Sequence, residues 1–219
     1  MAMLANFSNL IRGLIKGKQF CFIYPDVFIG KNVTIFPGAI IGRPPKSSGA
    51  TKRITNVIEL DYTRIGANCV IGSNCVIYKG VRIGNNSMIC DTACIRERVT
   101  IGENSLIAMG VTINVNTVIG DRTKIMDNCH ITGNAFIGNN VFIGMLTTSA
   151  NDNDMGKGNK NLDIEKGPVI KDGVRIGQGS CLFPEITIGE NAIIGANSTV
   201  TKNVLAKTKV MGSPARIKS

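Results

Sequence analysis

Histidine occurs once in this 219-residue chain, at position 130. A metal centre built from three imidazoles of one chain is therefore excluded. Acidic residues are also scarce: 15 Asp and Glu stand against 25 Lys and Arg, a net charge of +10. That excess is compatible with polyanionic ligands. Aromatic residues make up only 5% of the chain, with no tryptophan. The basic residues form no dense run with interleaved aromatics, so nucleic acid is not an expected partner. No apolar run is long enough to span a membrane. The N-terminus lacks the apolar core and cleavage site of a signal peptide, so a cytoplasmic location is expected. Seven cysteines are present, but none forms a CxxC pair with zinc-site spacing. They suit a reduced compartment as small apolar fillers, and no metal is expected.

What the chain does have is isoleucine at every sixth position. The series runs from Ile65, Ile71, Ile77 and Ile83 to Ile131, Ile137 and Ile143 without a gap. A period of six is neither helical nor the alternation of a flat strand. It fits a β-solenoid, in which each hexapeptide is a short strand plus a corner. Three hexapeptides close one triangular coil, and coils stack about 4.8 Å apart. Four residues after each isoleucine comes a small residue, such as Cys69, Cys75, Val81, Ser87 and Ala93. Gly66, Gly84 and Gly102 follow isoleucines, and Asn68, Asn86 and Asn104 come two residues later. These types tolerate the positive φ of tight corners. A purely structural solenoid would present regular, flat outward faces. Here the outward slots hold Arg82, Met88, Thr112, Lys124, His130 and Phe136.

The pattern divides the chain. Residues 1–20 carry Leu4, Phe7, Leu10, Ile11, Leu14 and Ile15 at helical spacing and predict a short amphipathic capping helix. Residues 21–205 form the solenoid, interrupted by loops at 43–57 and 145–169, and residues 206–219 are a tail. The ladder resumes after the second loop at Ile170, out of phase with the first run. A long polar loop in a packed fold is usually functional or disordered. The first loop is basic, and its Arg43 and Lys46 are candidates for a phosphate clamp.

The isoleucine ladder, the block from Gly167 to Val204 and the tail Gly212-Ser213-Pro214-Ala215-Arg216 resemble the hexapeptide-repeat acyltransferases. The resemblance implies an all-β, left-handed parallel β-helix that associates as a homotrimer, with active sites between subunits. It also implies acyl-CoA or acetyl-CoA as cosubstrate. A narrower resemblance lies in IGRPPK (41–46), CDTACIRERVTIG (90–102), IMDNCHITGNAFIGNNVFIG (125–144) and ANDND (150–154). These stretches look like nucleotide-sugar N-acyltransferases, such as those acting on dTDP-4-amino-4,6-dideoxyglucose. The implied reaction moves an acetyl or short acyl group to the amine of a nucleotide-linked amino sugar. An O-acetyltransferase acting on a sugar or other small hydroxyl is the alternative, because the superfamily uses either acceptor.

Candidate site residues follow. His130 occupies an outward slot and suits a general base near neutral pH. Asp91 and Glu97 lie in the corners before and after the strand 93–96; in the resembled family, acidic residues of this stretch hold the sugar amine. Arg96 and Arg98 are candidate partners for a diphosphate or for those acids. Asn114 and Asn128 are further candidates for substrate contact. Asn151 and Asp152 match an Asn-Asp pair at the equivalent break in nucleotide-sugar members. A pantetheine arm would lie beside Gly179, Ser180, Ala196 and Ser198, and Lys202 and Arg216 would meet the CoA phosphates.

Overall fold

The computed structural model describes residues 20–46, 60–154 and 166–218. Residues 1–19 of the expected N-terminal helix, 47–57 of the first expected loop and 155–165 of the second lie outside these residues. The described chain is a left-handed parallel β-helix. Its two- to four-residue strands stack into three sheets of nine, eight and ten strands. The first sheet holds Ile40–Arg43, Val76–Tyr78, Cys94–Ile95, Thr112–Ile113, His130–Ile131 and Thr148–Ser149. All pairings are parallel except the last, where Arg216–Ile217 folds back against Lys209–Met211.

The isoleucines line the interior. Ile71, Ile77, Ile89, Ile95, Ile107, Ile113 and Ile125 are fully buried, and the small residues between them fill the corners of the triangle. The asparagines do what the corners require: Asn68, Asn86 and Asn104 have φ of 57°, 57° and 55°. At Gly102 the coils approach so closely that a Cβ would lie 2.6 Å from the Gly120 carbonyl carbon. Polar corner side chains also tie one coil to the next. Asp91 Oδ1 accepts from the Ser73 amide at 2.7 Å, and Asp121 Oδ1 from the Glu103 amide at 2.8 Å.

The second interruption is shorter than the spacing predicts. Thr148–Ser149 is still a strand of the first sheet, pairing with His130 on one side and Cys181–Leu182 on the other. The excursion therefore starts after Ser149 rather than at Met145. Ser149 fills the isoleucine slot, with its Oγ accepting the Thr132 amide at 2.9 Å. Its hydroxyl is satisfied, so the slot tolerates a polar residue.

Both excursions leave the same edge of the prism. One follows Arg43 and the other follows Ser149, and both return in the second sheet, at Thr63–Ile65 and Val169–Ile170. Between them this edge runs five coil steps, about 24 Å. The residues stacked along it, in order, are Arg43, Tyr78, Arg96, Asn114 and Thr132.

Candidate active site

His130 projects from the middle of the first sheet, half-buried, and its ring is held on both sides. Nδ1 lies 2.7 Å from Thr112 Oγ1, and Nε2 lies 3.5 Å from Asn114 Nδ2. An amide nitrogen can only donate. With Asn114 so oriented, Nε2 carries the lone pair and the Nδ1–H donates to Thr112. Burial penalises the imidazolium and lowers the His130 pKa. Burial thus favours the neutral ring, with its lone pair on Nε2, which the Asn114 amide approaches at 3.5 Å. That is the state a general base needs.

A second cluster lies below it on the same edge. Arg43 and Arg96 both stack on Tyr78, their guanidinium carbons 5.2 and 4.9 Å from the ring centroid. Glu97 is fully buried and accepts from Arg96 Nε at 3.0 Å and Nη2 at 3.4 Å. Burial of Arg96 disfavours its charge, but the hydrogen bonds and charge of Glu97 outweigh this and raise its pKa. Glu97, expected to face an amine from its corner, thus sits inside the edge against Arg96. One coil step separates each of Arg96, Asn114 and Thr132, so Glu97 lies about 10 Å below His130 along the axis.

The remaining predicted residues divide by edge. Asn151 joins the His130 side: its amide nitrogen is 3.8 Å from where a Gly133 Cβ would stand. Asp152 turns back within its own loop, Oδ1 accepting the Asp154 amide at 2.7 Å. Arg98 and Lys46 are exposed close to the arginine cluster in sequence. Asp91 and Asn128 lie on the opposite edge of the first sheet. Both serve the corners there, Asn128 with φ 55° and its amide on the Met109 carbonyl at 2.9 Å. The Ser180 and Ser198 hydroxyls point inward and donate to the Gly177 and Gly195 carbonyls at 2.8 and 2.7 Å. Only their backbone, with exposed Gly179 and Ala196, faces solvent. Lys202 and Arg216 come together in a pocket of about 330 Å³ between the last coil and the tail.

Two residues of this site escaped sequence reasoning as functional groups. Thr112 precedes His130, and Tyr78 precedes Arg96, by 18 residues, the length of one coil. That spacing is the signal that would have found them. Among the described residues, no group of three or more His, Cys, Asp or Glu could hold a metal ion, and no helix is long and apolar enough to cross a membrane.

The six-residue coils define a hexapeptide-repeat β-helix. The chain belongs to the bacterial transferase hexapeptide (six repeats) family, whose pattern matches residues 62–96, 80–114, 116–148 and 167–202, more than half of its length. A Schizosaccharomyces pombe protein described as an acetyltransferase is 39% identical over 81 residues, 36% of this chain. That stretch is 39% of the relative's own length, so the chain spans about two-fifths of it. Among solved structures, a UDP-N-acetylglucosamine acyltransferase from Bacteroides fragilis superposes with a TM-score of 0.72 at 23% identity. The match covers 91% of this chain and 72% of that one. AntD from Bacillus cereus, an N-acyltransferase solved with dTDP and 3-hydroxybutyryl-CoA, gives a TM-score of 0.53 at 22% identity. Here 63% of this chain and 81% of that one are covered.

Proposed function

We propose that this protein is an acyl-CoA-dependent N-acyltransferase that moves an acetyl or short acyl group to the amine of a nucleotide-linked amino sugar. The observation that carries the reading is His130, aimed outward and held between Thr112 and Asn114. The amine attacks the thioester carbonyl while its proton passes to His130 Nε2. Collapse of the tetrahedral intermediate breaks the C–S bond, and the departing thiolate takes the proton back. Asn114 Nδ2, beside Nε2, is placed to donate to the acceptor sugar. Holding both substrates in line supplies several kcal/mol of the barrier reduction. In support, AntD shows that a helix of this fold accepts a dTDP group and a CoA thioester. The test is thiol release from acetyl-CoA with a panel of dTDP- and UDP-linked amino sugars and their hydroxy counterparts. Release with the hydroxy sugars alone would overturn the amine reading.

CoA lies along the C-terminal coils in this reading, with its phosphates at Lys202 and Arg216. Arg216→Ala is expected to raise the KM for acetyl-CoA more than it lowers kcat, because a distant phosphate contact is mostly uniform binding. Steady-state kinetics with CoA and dephospho-CoA thioesters check this. An equal loss with both removes Arg216 from the 3′-phosphate.

The working form is a homotrimer with its sites between subunits. Val118, Phe136 and Phe142 expose large apolar side chains on the second and third sheets, and such patches mark interfaces. Light scattering at micromolar concentration should give three times the chain mass; a monomer mass sinks the shared-cleft reading.

A further inference from the structure

We propose that Arg43 and Arg96, spaced by the Tyr78 ring and with Arg96 held by Glu97, form a two-point clamp for a diphosphate. This rests on the nucleotide-sugar reading above, and it names the part of that substrate which the edge below His130 would hold. In the stack, Arg43 precedes and Arg96 follows Tyr78, each one coil away. The two guanidiniums therefore reach the ring from either side, with carbons at most about 10 Å apart.

Glu97 fixes one half of the clamp. Its carboxylate takes the Nε and one Nη2 donor of Arg96. A guanidinium has five N–H groups, so the Nη1–Nη2 fork remains for an anion. A buried carboxylate locked against one face of a guanidinium aims the other, which is what bidentate recognition needs. Arg43 pairs with no carboxylate among the described residues, and its side chain is exposed. The edge thus presents one oriented cation, one adaptable cation and a rigid aromatic spacer.

The spacing admits a diphosphate. A guanidinium fork holds phosphate oxygens at about 2.8 Å, so one phosphate bridges guanidinium carbons about 8 Å apart, and two phosphates joined by an oxygen reach about 10–11 Å. The limit of about 10 Å across Tyr78 leaves room for either, and the titration below decides between them. The clamp also lies on the edge that carries His130, so a sugar attached to a diphosphate at its Arg96 end would have two coil steps, about 10 Å, to span to the His130 ring.

The experiment is calorimetric titration of the full chain with inorganic pyrophosphate, dTDP and orthophosphate, without acyl-CoA. Pyrophosphate and dTDP should bind more tightly than orthophosphate, with affinity falling as salt rises. Arg43→Ala and Arg96→Ala should each weaken pyrophosphate roughly ten- to a hundredfold. Arg96→Lys should not rescue, because an ammonium cannot fork. Glu97→Gln should weaken binding in the native background and cost nothing further in the Arg96→Ala background, the non-additivity expected of a positioning residue. Circular dichroism on each variant separates lost binding from lost folding, and Arg43→Ala, at an exposed side chain, tests the clamp even if the Glu97 variant unfolds. Unchanged pyrophosphate affinity in both arginine variants, or orthophosphate bound as tightly as pyrophosphate, overturns the clamp. Additive losses at Glu97 and Arg96 overturn the positioning role. A chain that binds pyrophosphate through both arginines, yet releases no thiol with any amino sugar, sinks the amino-sugar reading and leaves the clamp standing.

Discussion

His130→Ala is expected to lower turnover by about 10²–10⁴-fold, the range typical of a lost general base. The variant should also lose the acid limb of the pH–rate profile. His130 acts only when unprotonated, so activity of the native protein is present above its pKa and is lost as pH falls through it. Burial holds that pKa below the ordinary value of 6.5, so the limb lies below pH 6.5. Thr112→Val should act through the same ring. It removes the 2.7 Å contact that fixes Nδ1 while adding no bulk. A hydrogen bond of this kind is worth about 1 kcal/mol, or roughly fivefold in rate. The loss should fall on kcat, with KM for both substrates unchanged. A His130→Ala protein within a few-fold of native across the pH range would end the general-base role and leave amine activation to the departing thiolate. The family assignment does not depend on the outcome.

Ile113→Ala should destabilise the fold by about 2–5 kcal/mol, as for other fully buried aliphatic truncations. Ile113 is completely buried at mid-column, stacked between Ile95 and Ile131 in the first sheet. Each coil of a solenoid is stabilised chiefly by its neighbours, so a cavity here weakens the interfaces above and below together. An outward residue of another strand provides the contrast. Lys124 is exposed on the third sheet, and Lys124→Ala should stay within about 0.5 kcal/mol of native. Urea unfolding followed by circular dichroism, at one fixed protein concentration, checks both. Equal losses at the two sites would contradict the inward–outward alternation on which the architecture rests.

The histidine site was half legible in advance. His130 could be placed outward because faces alternate along a strand, and Asn114 was already a candidate. Thr112 stood among the outward residues with no role, because nothing local marks a threonine as a histidine's partner. Glu97 shows the opposite error of reading. A corner acid is expected at the surface, yet this one turns inward and is tied to Arg96. Ser149 was missed as a ladder residue because the ladder was followed by apolar identity. The slot accepts a serine when the Thr132 amide from the preceding coil binds its hydroxyl.

The six-residue period alone determined the strand length, the inward column and the corner chemistry, because each depends only on residues adjacent in the chain. Alternation of faces and tolerance of positive φ are local properties, and fourteen consecutive isoleucines from Ile65 to Ile143 state them repeatedly. Which residues stack on which was decided by tertiary pairing. An unbroken ladder would bring together residues 18 apart, but the insertions change that count. Arg43 meets Tyr78 across 35 residues, and Thr148 meets Cys181 across 33. Sequence distance does not reveal how much chain an excursion consumes before the next strand hydrogen-bonds to its neighbour. The guanidinium–tyrosine–guanidinium stack exists only because the first excursion closes back onto the coil that it left.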